Sequence, residues 1–166
     1  TRDAVTAFVV DRLRVQLRDA GLPYDVVEAA LAVQGDNPTR ARQAAEQLSA
    51  WVKREDWPLL LDNYSRCVRI TRDQPDYGLD PSDLVEEESL ALYEALSGVE
   101  AQVDATADVD TLLTAFRSLV EPIQRFFDEV LVMAEDPDVR EARLALLQRI
   151  AGLASGIADL SHLEGF

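Results

Sequence analysis

The chain carries seven prolines, and six of them can sit at or near the start of a helix. Proline fixes φ near the helical value and lacks an N–H that a first helical turn leaves unpaired in any case. Deeper in a helix it removes a hydrogen bond and clashes with the preceding turn. Pro23, Pro38, Pro58, Pro81, Pro122 and Pro137 each open or adjoin an apolar pattern of helical period, and only Pro75 does not. None lies in the middle of a clear apolar stripe. This placement, with no competing alternation of apolar and polar residues, predicts an all-α bundle of about seven to eight helices.

The segments follow from the same signals. Val5, Phe8, Val9, Leu13, Leu17 and Ala20 form one stripe, ended by Gly21. Pro23 opens "DVVEAALAV", which Gly35 closes, and Asn37-Pro38 caps "TRARQAAEQLSAWVKR". Trp57-Pro58 opens "LLLDNYSRCVRITR", and Asp80-Pro81 leads into "LVEEESLALYEALSGVEAQV". "DVDTLLTAFRSLV" is the next helix, and Pro122 opens or kinks the one bearing Phe126 and Phe127. Asp136-Pro137-Asp138 starts the last helix, with carboxylates at its positive end. "VLVM" at 130–133 has strand propensity. A helical stripe through Ile123, Phe126, Phe127, Val130 and Ala134 assigns it to helix instead. There is no internal repeat and no low-complexity segment.

Size and charge narrow the function. A chain of 166 residues suits one domain, and the Pro-, Gly- and Asp-rich stretch at 73–83 is the best internal boundary. The net charge of −15 argues against nonspecific nucleic-acid binding, DNA included. Residues 1–72 hold 11 Lys/Arg against 10 Asp/Glu, while residues 73–166 hold 5 against 21. A local basic face is still compatible with the first half. The longest uncharged run, Ile150–Ala158, is far short of the roughly 20 residues of a membrane helix. The opening "TRDAVTAF" has no initiator methionine and no signal-peptide layout, so a fragment of a longer polypeptide is expected.

Catalytic chemistry is not expected. Cys67 is the one cysteine and His162 the one histidine, which leaves no disulfide and no zinc set. No phosphate-cradling glycine loop occurs. Gly152 and Gly156 read as a close helix contact. Glu86, Glu87 and Glu88 point in different directions on a helix and read as a solvated start. The aspartates at 73–83 lack the spacing of a calcium loop.

The basic residues are more informative. Lys53 and Arg54 end the third helix, and Arg66, Arg69 and Arg72 follow at steps of three, with Tyr64 among them. Basic residues interleaved with aromatics hold phosphates and stack bases. The alternative is equally open: Asp62 with Arg66, and Arg69 with Asp73, can form exposed helix pairs. Arg12 and Arg143 lie on apolar stripes and are expected to be structural, each in an ion pair or reaching to solvent. For Arg143, Asp128 or Glu129 is the expected partner, with "FFDEV" and "REARLALL" facing one another in a helical hairpin.

"FFDEVLVMAEDPDVREARLALLQRI" followed by "ADLSHL" resembles the C-terminal end of the bacterial glycyl-tRNA synthetase β subunit. That family ends in a helical anticodon-binding domain named for a D-A-L-R motif. Phe126, Phe127, Asp128, Val130, Val132, Met133, Arg140, Arg143, Leu144, Leu146, Leu147, Ala158, Asp159 and Ser161 match its pattern. Asp11, Arg12, Leu13 and Gly21 resemble the entry to the domain, and "YSRCVRI" resembles its K-R-V-x-N-I segment. The likeness spans essentially the whole chain, most specifically at the C-terminal block. Ala142 and Arg69 stand where the family often has Asn, and Ser65 where it often has Lys.

The resemblance implies a DALR-type domain covering residues 1–166. It implies a cytoplasmic parent ligase that joins glycine to its tRNA with ATP and magnesium, the catalytic centre lying in the α subunit or α region. The β part supplies tRNA binding, so no cofactor or metal is expected within this chain. Its partners would be tRNA(Gly) and the α subunit, not DNA or membrane. Lys53, Arg54, Tyr64, Arg66, Arg69 and Arg72 are the candidate RNA-binding residues. Glycine anticodons share two cytosines, whose amino group a carboxylate can accept from and whose acceptor edge an arginine can donate to. The rival readings are an acidic protein-interaction module without RNA binding, and the anticodon domain of an arginyl-type synthetase.

Overall fold

A computed structural model describes residues 1–166. Eight α-helices follow in order: α1 (Arg2–Asp19), α2 (Tyr24–Gln34), α3 (Pro38–Trp51), α4 (Trp57–Thr71), α5 (Glu87–Glu100), α6 (Val109–Phe116), α7 (Val120–Glu129) and α8 (Pro137–Ala151). Short 3-10 turns lie at Pro81–Asp83, Arg117–Leu119, Gly152–Ala154 and Leu160–His162, and there is no strand. The class is all-α, as the proline placement predicts.

Prolines set the helix starts. Pro38 and Pro137 are first residues, capped by Asn37, which accepts from the Arg40 N–H at 3.2 Å, and by Asp136, which accepts from the Asp138 N–H at 2.9 Å. Pro122 is third in α7. It cannot donate to the Ser118 carbonyl, and its ring crowds that turn. The chain tightens just before it, into the 3-10 turn Arg117–Leu119.

Three local expectations are corrected. Asp80-Pro81 starts only a 3-10 turn, and α5 begins at Glu87. α8 stops at Ala151, so Gly152 and Gly156 do not share a helix face; Gly156 sits at φ +79. "VLVM" is not helical. α7 ends at Glu129, and Val130 is extended at φ −116, ψ 127. Val130 and Val132 are buried while Leu131 and Met133 are exposed. That two-residue alternation belongs to extended chain, and β-branched valines favour it.

The chain forms two compact units. The first comprises Thr1–Pro58, Ala105–Leu112 and Ala154–Phe166; the second comprises Leu59–Asp104 and Leu113–Leu153. The loop at 73–83, expected as a boundary, lies inside the second unit.

In the first unit, α2 packs on α1, on α3 and on the turn at Leu160–His162. The α2–α3 contact uses small side chains: Ala29, Ala30, Ala41 and Ala45 are fully buried. Gln34 straps the tail to α2, its Nε2 donating to the carbonyls of Gly156 at 2.7 Å and Ile157 at 3.2 Å. α1 ends in a left-handed cap. Gly21 at φ +92 donates its N–H to the Arg18 carbonyl, and Leu22 donates to that of Leu17. Only part of the α1 stripe is core, since Leu13 and Leu17 are buried but Val5, Phe8 and Val9 are exposed. Arg12 is exposed, and the ion pair of this helix belongs to Arg14, whose Nε lies 2.5 Å from Glu28.

In the second unit α5 packs against α7 and α8. Phe116, Leu119, Ile123, Phe126, Leu144 and Leu147 form its fully buried centre. Arg143 is largely buried and paired, as expected, but its partner is Glu86. Its other terminal nitrogen donates to the Leu131 carbonyl. Asp128 and Glu129 are exposed. α7 breaks into extended chain and packs chiefly on α5. Arg143 therefore meets that extended segment and the start of α5, not a facing α7.

Candidate nucleic-acid interface

The candidate residues are divided between the two units. Lys53 and Arg54 belong to the first unit, in the turn after α3. Arg54 is already occupied: its Nε donates to Asp56 at 2.8 Å, and its guanidinium lies 4.5 Å from the centroid of the Trp51 ring. Lys53 is exposed.

Arg66, Arg69 and Arg72 belong to the second unit and are all exposed. Arg66 and Arg69 lie on α4, and Arg72 follows its last residue. A helix rises about 4.5 Å over three residues, so these cations form a short row.

Tyr64 does not join them. It is 9% exposed, donates its hydroxyl to the Ala151 carbonyl at 2.9 Å and meets Phe116 edge-on with centroids 5.9 Å apart. The arginine row faces solvent while Tyr64, two positions before Arg66, faces the core. A base cannot stack on it, and it is removed from the candidate set.

The aromatic that does meet the row comes from α7. The Arg66 guanidinium carbon lies 4.1 Å from the centroid of the Phe127 ring. This replaces the helix pair with Asp62 that spacing allowed. Phe127 is half-buried and meets the fully buried Phe126 edge-on, with centroids 5.6 Å apart. Phe127 was not among the sequence-derived candidates. Its one trace in the sequence is that it and Arg66 both belong to segments carrying the family resemblance. Asp62 and Asp128, close in sequence to Arg66 and Phe127, are exposed carboxylates.

Other charged groups of the second unit are paired. Glu86 pairs with Arg143, and Glu88 lies 4.0 Å from Arg125. A shallow groove on the second unit carries Arg117 and Arg125 but also Glu88 and Glu121, so its charge is balanced. No group of three or more His, Cys, Asp or Glu side chains is placed to hold a metal ion. His162 is exposed, 3.6 Å from Asp159. No helix is long and apolar enough to cross a membrane.

The sequence pattern of the DALR anticodon binding domain matches residues 60–159. The chain belongs to the DALR anticodon-binding domain family. Among relatives of this DALR domain is the glycine--tRNA ligase beta subunit of Moorella thermoacetica, 36% identical over 166 residues, covering 98% of this chain and 24% of the relative. The same subunit of Desulforudis audaxviator is 38% identical over 160 residues, covering 93% and 23%. A chloroplastic/mitochondrial glycine--tRNA ligase of Arabidopsis thaliana is 34% identical over 170 residues, covering 100% and 16%. The chain thus spans at most about a quarter of the length of these relatives. The matched stretch takes in all of the second unit but Leu59, with Arg66, Arg69, Arg72 and Phe127. Lys53 and Arg54 lie outside it.

Proposed function

We propose that this DALR domain binds the anticodon stem-loop of a glycine tRNA and serves a glycine–tRNA ligase whose catalytic centre lies elsewhere. The observation that carries the reading is the family match over residues 60–159, the stretch that bears the exposed arginine row. The relatives' printed names supply the amino acid and favour the glycyl over the arginyl reading. ATP and magnesium belong to the parent reaction. No phosphate-cradling glycine loop occurs in this sequence, and no cluster of three or more His, Cys, Asp or Glu side chains gathers as a metal site. An α subunit or α region is the proposed protein partner, and the cytoplasm or an organelle matrix the proposed setting.

Overall acidity does not oppose this reading. Carboxylates such as Asp62 and Asp128 can accept from cytosine amino groups, while Arg66, Arg69 and Arg72 supply donors and phosphate contacts. The test is binding of the chain to a glycine anticodon stem-loop, and to one with both cytosines changed, across a salt series. A preference of about tenfold, or roughly 1.4 kcal/mol, is expected. Equal binding that falls steeply with salt would reduce the domain to a phosphate binder. No binding would favour the acidic protein-interaction module.

A further inference from the structure

We propose that Arg66 and Phe127 form a stacking shelf for one unpaired nucleobase. This rests on the anticodon reading above and names the contact that would hold the loop.

Three observations point to it. Arg66 is exposed, yet it is held by a ring: its guanidinium carbon is 4.1 Å from the Phe127 centroid. At that distance the two groups are in van der Waals contact, and a planar guanidinium is well suited to lying on an aromatic face. The ring is itself anchored, meeting Phe126, which has no exposed surface, at an interplanar angle of 85°. The core thus fixes Phe127, and Phe127 fixes Arg66. A mobile arginine would lose side-chain freedom on binding; this one has already lost much of it. Third, Arg69 and Arg72 follow Arg66 at steps of three and are exposed cations of the same unit, close enough in sequence to meet phosphates beside a stacked base.

A guanidinium plane stacks on any base, because every base has a π face, while its rim keeps N–H donors for base edges. The shelf therefore holds an unpaired loop base by its face and leaves readout to neighbouring polar groups. A paired base in a stem cannot use it. Chemically, the site selects single-stranded over duplex RNA.

A cycle between protein and RNA tests the shelf. Each unpaired position of the glycine anticodon stem-loop is made abasic in turn, and binding is measured to the wild-type chain, to Arg66→Lys and to Phe127→Leu. Arg66→Lys keeps the charge, and its exposed position leaves folding intact. The expected result is one loop position at which base removal weakens wild-type binding about tenfold but leaves Arg66→Lys binding unchanged, with the salt slope the same in both proteins. Phe127→Leu, checked by circular dichroism for retained helix, should show the same insensitivity at the same position. If wild type discriminates the cytosines but no position couples to Arg66, the shelf is overturned and the anticodon reading stands. If Arg66→Lys binds as wild type and only Arg66→Gln weakens binding, with a shallower salt slope, Arg66 is a phosphate contact and the shelf is likewise overturned. Failure of the wild-type chain to bind overturns both.

Discussion

Arg143 on α8 is held by Glu86, the residue before α5, although 57 positions separate them. The pair is largely shielded, with the Arg143 side chain 11% exposed, and Glu86 also accepts from the buried Ser89 hydroxyl at 3.0 Å. Burial pushes the Glu86 carboxyl up, but the hydrogen bonds from Arg143, Glu86's own backbone and Ser89 together outweigh it, leaving the carboxyl below the usual glutamate range. A carboxyl held lower in the folded than in the unfolded chain adds stability above its unfolded pKa. That stability is lost as pH falls through the folded pKa. Glu86→Gln should cost about 1.5–3 kcal/mol near neutral pH. Urea unfolding of both proteins from pH 7 down to pH 3 checks this, and the gap should close in the acid range. A constant gap would show that the charge of Glu86 is irrelevant.

Tyr64 separates packing from recognition. Its hydroxyl is satisfied by the Ala151 carbonyl. Tyr64→Phe should lower stability by about 1 kcal/mol and leave stem-loop affinity unchanged. A loss of affinity without a loss of stability would return Tyr64 to the binding surface.

Cys67 should be silent until the chain opens. It has no exposed surface, and burial pushes its thiol up to about 12. The reactive species is the thiolate. Alkylation at pH 8 is expected to be at least about a hundredfold slower in the native chain than in urea. Comparable rates would mean that α4 opens readily.

Gln34 should hold the tail of the first unit. Gln34→Ala removes donors from the carbonyls of Gly156 and Ile157 and should cost about 1–3 kcal/mol. Thermal unfolding measures the cost. Limited proteolysis should cut first within 154–166, and unchanged cleavage there would show that the strap carries no load.

Local signals proved readable in the sequence, and long-range ones did not. Pro38 and Pro137 mark helix starts because their effect acts within one turn. The charge of Arg143 on an apolar stripe demanded a partner, and one exists. Which carboxylate it met depended on how the chain turned after Glu129, and that turned on the alternation in Val130–Met133. Period two over four residues is short enough to be hidden by a helical stripe running into it. The first stripe misled in the other direction, since periodicity shows that Val5, Phe8 and Val9 share a face without showing that anything covers it. For the candidate site, the arginine row was legible from spacing. Phe127 was not, because spacing within α4 carries no information about what α7 places over it.

The division of the first unit into three separated stretches bears on how the protein is made. Residues 1–58 leave the ribosome before the rest of the unit, yet the carbonyls that Gln34 binds come 122 and 123 residues after it. At about 5–20 residues per second that is a wait of roughly 6–25 s, during which α1–α3 lack part of their core. The second unit has all its residues as soon as Leu153 emerges. Within these 166 residues, the unit begun first is thus the unit completed last. Its unfinished face is a site where a chaperone, or a slow misstep, can act while translation continues.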